Sequence, residues 1–261
     1  MMKVRCFLIG VAILFAAGVL ASSTYAVIDP ENIVGMWLFD EGEGDVAMDS
    51  SGNGNDGNFV GDPQWVDGKF GSALELDGAS SYVDCGNTDT LDIPTGGVVT
   101  MCAWVNSKVG STAAWQGIMA KRDANYSYGI NLVTGAFQIY TSGGSGIAGF
   151  NYNLPADEWT FICGTMSNDP AELYVNGELF GTTGAGGGVL SSAANLFRIG
   201  ASFSNGEIFN GTIDEVGVFN VVLTEDEIND IMNRGLGMAT GITAVEPVDK
   251  LETTWATIKF Q

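Results

Sequence analysis

The chain has 261 residues, with 31 Asp and Glu against 10 Lys and Arg and no His, giving a formal charge of −21. Without His, the usual Ser-His-Asp and Cys-His catalytic sets and His-ligated zinc or iron centres are excluded. The acidity repels phosphate backbones and no basic cluster offsets it, which excludes nucleic-acid binding.

Met1-Met2-Lys3-Val4-Arg5 is a basic start, Phe7 to Leu20 an apolar run, and Ala21-Ser22-Ser23-Thr24-Tyr25-Ala26 a small-residue end. This order predicts a signal peptide at 1–26, cleaved after Ala26, and a secreted or cell-surface protein. An uncleaved anchor is the alternative, but the run is short of the ~20 residues that cross a bilayer. No other segment is apolar enough to span a membrane. Residues 27–234 then fit one large domain, with a tail at 235–261.

Short apolar runs of period two predict strands at Val34–Asp40, Ala73–Leu76, Tyr82–Cys85, Val98–Asn106 and Gly117–Lys121. Others follow at Tyr126–Leu132, Ala136–Thr141, Trp159–Ser167, Ala171–Val175, Glu178–Thr182, Asn195–Gly200 and Gly211–Phe219. Asn176-Gly177 between two of them is a two-residue hairpin signal, because both positions accept positive φ. Thr134-Gly135 reverses the chain in the same way. With 37 Gly and many short strands, the expected fold is all-β, a two-sheet antiparallel jelly-roll sandwich. One short C-terminal helix is expected. Thr224-Glu225-Asp226-Glu227 has the capping-box spacing and Gly235 ends it. In the tail, Ala244-Val245-Glu246-Pro247 reads as a linker and Leu251–Phe260 as an extra edge strand, an attachment signal or a disordered end.

Cleavage after Ala26 leaves Cys85, Cys102 and Cys163. Export favours disulfides, and a bridge between Cys102 and Cys163, both in apolar strands, stands beside a reading of all three as small buried residues. Carboxylates are the remaining chemistry. Glycoside hydrolysis needs two carboxyl groups held across a cleft. Glu75-Leu76-Asp77 places two acids on one strand face, but Gly78-Ala79-Ser80-Ser81 brings no third Glu. Trp115, Tyr126, Tyr128, Trp159 and Phe203 are the aromatic candidates for stacking on a sugar, set against the usual use of aromatics in a core. The Gly- and Ser-rich stretch carrying Tyr140, Phe150 and Tyr152 is the better surface candidate.

Several motifs occur in one order: Trp37-Leu38-Phe39-Asp40-Glu41-Gly42, the loop Asp49 to Gly57, Phe70-Gly71-Ser72-Ala73-Leu74-Glu75-Leu76-Asp77-Gly78 and Ala103-Trp104-Val105. Leu173-Tyr174-Val175-Asn176-Gly177, Arg198-Ile199-Gly200 and Ile213-Asp214-Glu215-Val216 complete the series. Together they resemble the laminin-G-like jelly-roll domains of the concanavalin A-like lectin/glucanase superfamily over residues 33–234. The resemblance implies a non-enzymatic recognition module that binds carbohydrate, with an adhesive module for another surface protein as the alternative and a glycosidase as a third reading. It also implies one structural Ca²⁺, held by Asp40, by Asp77 or the Gly78 carbonyl, and by Asp214. Oxygen ligands drawn from separate strands suit that ion.

Overall fold

The computed structural model describes residues 28–94, 96–112, 115–122, 126–141, 146–167, 170–183, 195–203 and 206–242. The expected signal peptide and the tail beyond 242 lie outside them. In chain order the strands begin with β1 (Ile33–Trp37), β2 (Val46–Ala47), β3 (Gly57–Val60), β4 (Gln64–Asp67), β5 (Ser72–Asp77) and β6 (Tyr82–Asp84). Next come β7 (Val99–Ser107), β8 (Gln116–Arg122), β9 (Tyr126–Val133), β10 (Ala136–Thr141), β11 (Gly146–Phe150) and β12 (Trp159–Met166). The series ends with β13 (Ala171–Val175), β14 (Glu178–Thr183), β15 (Phe197–Ile199), β16 (Ala201–Phe203), β17 (Gly206–Ile208) and β18 (Asn210–Phe219). Two helices close it, α1 (Glu225–Arg234) and α2 (Leu236–Thr240).

The strands form two antiparallel sheets, as the alternation predicts. One runs β14-β13-β12-β7-β18-β5-β4 with β1 also on β18, and the other runs β11-β10-β9-β8-β15-β6-β3-β2. β7 shows how a sheet covered on both sides is encoded. Val99, Met101, Ala103 and Val105 face the core between the sheets. Cys102 and Trp104 face outward into a second apolar cluster, where Ile228 and Ile231 of α1 and Leu236 and Ala239 of α2 cover them. Period two sends alternate side chains to opposite faces, and here both faces are dry.

The capping box is present: Thr224 Oγ1 accepts the Glu227 N–H, and the Glu227 carboxylate accepts the Thr224 N–H at 2.7 Å. Gly235 ends α1, but packing does not stop there. Leu236 and Ala239 are buried, so the packed fold extends beyond Gly235 into residues assigned to the tail. β1 stops at Trp37 rather than Asp40, because Phe39 takes a positive φ of 57°. The hairpin of β16 and β17, which the sequence did not announce, folds across the outer face of the second sheet. Its Ser202 and Ala201 backbone lies against Gly117 of β8, so close that a Cβ there would collide.

Candidate functional site

β18 changes partner midway. One side pairs with β7. The other side pairs with β5 through Asn210–Ile213 and with β1 through Val216–Phe219. Asp214 and Glu215 sit at the junction, where the register against β7 shifts and Glu215 adopts a φ of 53°. Two adjacent acids in an apolar strand cannot both face solvent by simple alternation, and the bulge re-aims them.

The Asp214 carboxylate reaches the turn between β4 and β5. Its Oδ2 accepts the N–H groups of Lys69 (2.8 Å) and Phe70 (3.0 Å). That turn is held by the Gly68 N–H donating to the Gly71 carbonyl, and it lays Phe70 and Lys69 on the Trp104 ring. Asp40 joins from the segment that follows β1, its Oδ1 accepting the Ser72 N–H at 3.2 Å. Gly71, at φ 58°, lies so close to that oxygen that no side chain fits. Glu215 accepts the Leu236 N–H at the start of α2.

Burial pushes the Asp214 carboxyl up to about 7, against the lowering effect of the Phe70 and Lys69 N–H groups. Burial, with the charges of Asp214 and Asp40, pushes Glu215 up to about 8. Beside them opens a cleft of about 480 Å³ lined by Leu38, Asp40, Phe70, Glu215, Arg234 and Met238.

Of the four expected cation ligands, Asp40 and Asp214 come together and Asp77 and Gly78 do not join them. Asp77 stands opposite Asn210 and Leu74 opposite Ile213, so Asp77 is displaced from Asp214 by four strand positions, about 13 Å. Its Oδ1 accepts the N–H groups of Ala79 (2.9 Å), Ser80 (2.8 Å) and Ser81 (2.9 Å) and the Ser81 hydroxyl (2.7 Å). These bonds, the Ser80 N–H foremost, hold the carboxyl well below its usual range. Asp77 closes its own turn.

Among the described residues no three His, Cys, Asp or Glu side chains converge on a metal position. A hard cation at the seam would draw on Asp40 and Asp214 alone among the expected ligands. There Asp214 Oδ1 is buried with no hydrogen bond of acceptable geometry, and carbonyl and water oxygens would have to supply the rest. Glu75, the other acid of the hydrolase-like pair, is ion-paired to Lys108 at 2.8 Å.

The aromatic candidates divide. Tyr140 (1 % exposed) and Phe150 (4 %) are buried, contrary to their expected place on a surface loop. Phe150 belongs to the core between the sheets. Tyr140 points to the outer face but is covered, its ring against Gly129 and its hydroxyl 3.4 Å from Ser202 of the β16–β17 hairpin. Tyr152 is half-buried, stacked on Phe137 and edge-on to Phe180. The Tyr126 side chain lies outside the described part. Trp115 is 42 % exposed.

Trp115 borders a hollow of about 190 Å³ with Gly78, Val109, Gln116, Glu207 and Asn210. Gln116 opens β8 and is 3 % exposed; its Oε1 accepts the Asn210 N–H at 2.8 Å. That bond fixes the amide and leaves Nε2 buried without an acceptor among the described residues, a state that costs about 1–3 kcal/mol. Glu207, at φ 60°, accepts from Arg122 Nη1 at 2.8 Å. The sequence did not single out Gln116, Glu207 or Asn210, since none belongs to a local pattern.

Cys102 and Cys163 face one another in register across β7 and β12. Both thiols are free and buried, as is Cys85. The pair expected to bridge is therefore correctly juxtaposed and unbridged in this structure.

Curated proteins offer no match to the chain. Among solved structures, domain 4 of an extracellular GH43 arabinanase from Geobacillus stearothermophilus, in complex with arabinotriose, superposes with a TM-score of 0.62 at 22% identity. That match covers 77% of this chain and 98% of the domain. The binding domain of Paraclostridial Mosquitocidal Protein 1 gives 0.61 at 17% identity, over 78% of this chain and 52% of that one. A botulinum neurotoxin type C structure, titled for the dependence of cell entry on two ganglioside molecules, gives 0.61 at 14%, over 78% and 51%. The chain thus spans about half the length of the toxin chains it resembles. These likenesses show the fold. The Laminin_G_3 family matches residues 77–229, more than half of the sequence, and the chain belongs to this family of the concanavalin A-like lectin/glucanases superfamily.

Proposed function

We propose that this protein is an exported recognition module that binds carbohydrate without cleaving it. The observation that carries the reading is a contrast in how the side chains are used. The two acids nearest to a hydrolytic pair are engaged, Asp77 by three N–H groups and two hydroxyls and Glu75 by Lys108, whereas Trp115 stands exposed beside a polar hollow. An aromatic face flanked by hydrogen-bonding groups suits a sugar, which has an apolar face and polar edges. The arabinotriose complex of the matched arabinanase domain supports the same reading. Export rests on the sequence of residues 1–26. Among the described residues no helix is long and apolar enough to cross a membrane.

A structural Ca²⁺ at the seam belongs to the proposal, held by Asp40 and Asp214. It would neutralise carboxylates that burial leaves poorly solvated. The supporting observation is the buried Asp214 Oδ1, which makes no hydrogen bond of acceptable geometry among the described residues. A second reading, adhesion to another protein, is favoured by a different feature: β14 ends its sheet with Leu179 and Phe180 exposed. A glycan array probed with the protein in calcium buffer separates the two. Specific sugar hits support recognition of carbohydrate, and a blank array favours the protein partner.

A further inference from the structure

The geometry points to the hollow beside Trp115 as the carbohydrate-contact site, and to a single uncharged sugar ring as what it takes. This inference rests on the carbohydrate reading above and assigns it residues and a ligand class. Four observations converge. Trp115 offers an exposed indole face at the hollow's edge, and ring stacking on an aromatic face needs an accessible platform of that kind. Gln116 lines the hollow, and because its Oε1 is committed to the Asn210 N–H, its buried Nε2 is a held donor with no acceptor among the described residues. A sugar hydroxyl reaching that wall would supply the acceptor. Glu207, which also lines the hollow, is fixed by Arg122 at 2.8 Å and by its own left-handed backbone, and its carboxylate accepts what a hydroxyl donates. The volume of about 190 Å³ leaves room for one ring rather than a chain of them.

Charge selects among sugars. The one acidic side chain at the hollow and a formal charge of −21 over the whole chain repel uronates and sulfated sugars. The cations near it are engaged: Arg122 by Glu207 and Ser202, and Lys108, next to Val109, by Glu75. A neutral hexose or pentose unit, at a chain end or as a side branch, fits these constraints.

The test is calorimetric titration of the full protein with arabinotriose, xylotriose, cellotriose, mannotriose and galactotriose, and with trigalacturonate as the anionic probe. Wild type is expected to bind at least one neutral trisaccharide. Trp115→Ala should weaken that binding about tenfold or more, Trp115→Phe should keep most of it, and the exposed-aromatic control Phe180→Ala should leave it unchanged. Circular dichroism spectra of all variants should overlay. Binding that survives Trp115→Ala overturns the inference while leaving the carbohydrate reading intact. Binding of trigalacturonate alone overturns the assignment of an uncharged ligand. No binding by wild type to any probe overturns the carbohydrate reading and the inference with it.

Discussion

Asp214 and Lys69 are joined across 145 positions of sequence by one hydrogen bond of 2.8 Å, from the Lys69 N–H to Asp214 Oδ2. The bond pins the β4–β5 turn to β18 at the point where β18 exchanges β5 for β1. Substitution Asp214→Ala leaves the Lys69 and Phe70 N–H groups without their acceptor. It should cost about 2 kcal/mol or more of unfolding free energy, read as a lower urea midpoint with an unchanged slope. Asp214→Asn keeps an acceptor and should cost less. Equal stability of Asp214→Ala and wild type would show that the turn is held by packing on Trp104 instead.

The seam should also respond to pH and to divalent cations. In chelator, Asp214 and Glu215 hold protons in the folded state up to about 7 and about 8, whereas in the unfolded chain they lose them near pH 4. The folded state therefore binds more protons across that window. Their contribution is full below pH 4 and is lost as pH rises through 7 and 8. Melting temperature in chelator should thus be higher at pH 5 than at pH 8. Added Ca²⁺ should raise the pH 8 value most, and should do so less in Asp214→Ala. A midpoint indifferent to Ca²⁺ in wild type and variant alike would remove the cation from the proposal.

Asp77 titrates with the opposite sign. Its carboxyl is held below the ordinary range by N–H donors in its own turn, so its contribution is present above pH 4 and fades as pH falls. Asp77→Asn should flatten the acid side of the stability profile and leave the calcium response of the seam unchanged. A lost calcium response would return Asp77 to the cation site.

Thiol chemistry gives an independent check. Cys85, Cys102 and Cys163 are buried, and burial raises the Cys85 and Cys163 thiols well above their usual values. Protein prepared under reducing conditions should be inert to a thiol reagent when native and should label at all three positions once unfolded. Labelling at Cys85 alone, in protein recovered after export, would report a Cys102–Cys163 bridge formed across the facing strands.

Thr224 anchors the second apolar cluster through the helix it caps. Thr224→Ala should lower stability by about 1 kcal/mol, the usual cost of a lost N-cap, measurable in the same denaturation series. No change would show that α1 is held by Ile228 and Ile231 alone.

Features set by neighbouring residues were legible in the sequence. Asn176 and Gly177 adopt the positive φ values that their hairpin requires, 49° and 81°, and the capping box forms around Thr224. The expectation that pairs Asp40 with Asp214 came through resemblance rather than through any local rule, and the structure sets the two within electrostatic reach of one another. What failed depends on segments that cross over one another. Tyr140 is hidden because the β16–β17 hairpin lies on the outer face of the second sheet, and only the closeness of Gly117 to that hairpin and of Gly129 to the Tyr140 ring records it. Asp77 had the right residue type for a cation, but Ala79, Ser80 and Ser81 compete for the same oxygens at shorter range. Gln116 was invisible because its meaning lies in an acceptor already spent on Asn210 and a donor left over.

The partner exchange along β18 also gives the molecule two poles. At its Phe219 end Ile33 lies opposite, inside the apolar cluster that α1 and α2 cover. At its Asn210 end stand Gly78, Gln116 and Trp115. Ten residues of strand separate these ends, about 30 Å of rigid β-structure. The exchange of β5 for β1 along this one strand thus keeps the buried acids of the seam apart from the Trp115 hollow, so a substitution at one pole leaves the side chains of the other untouched.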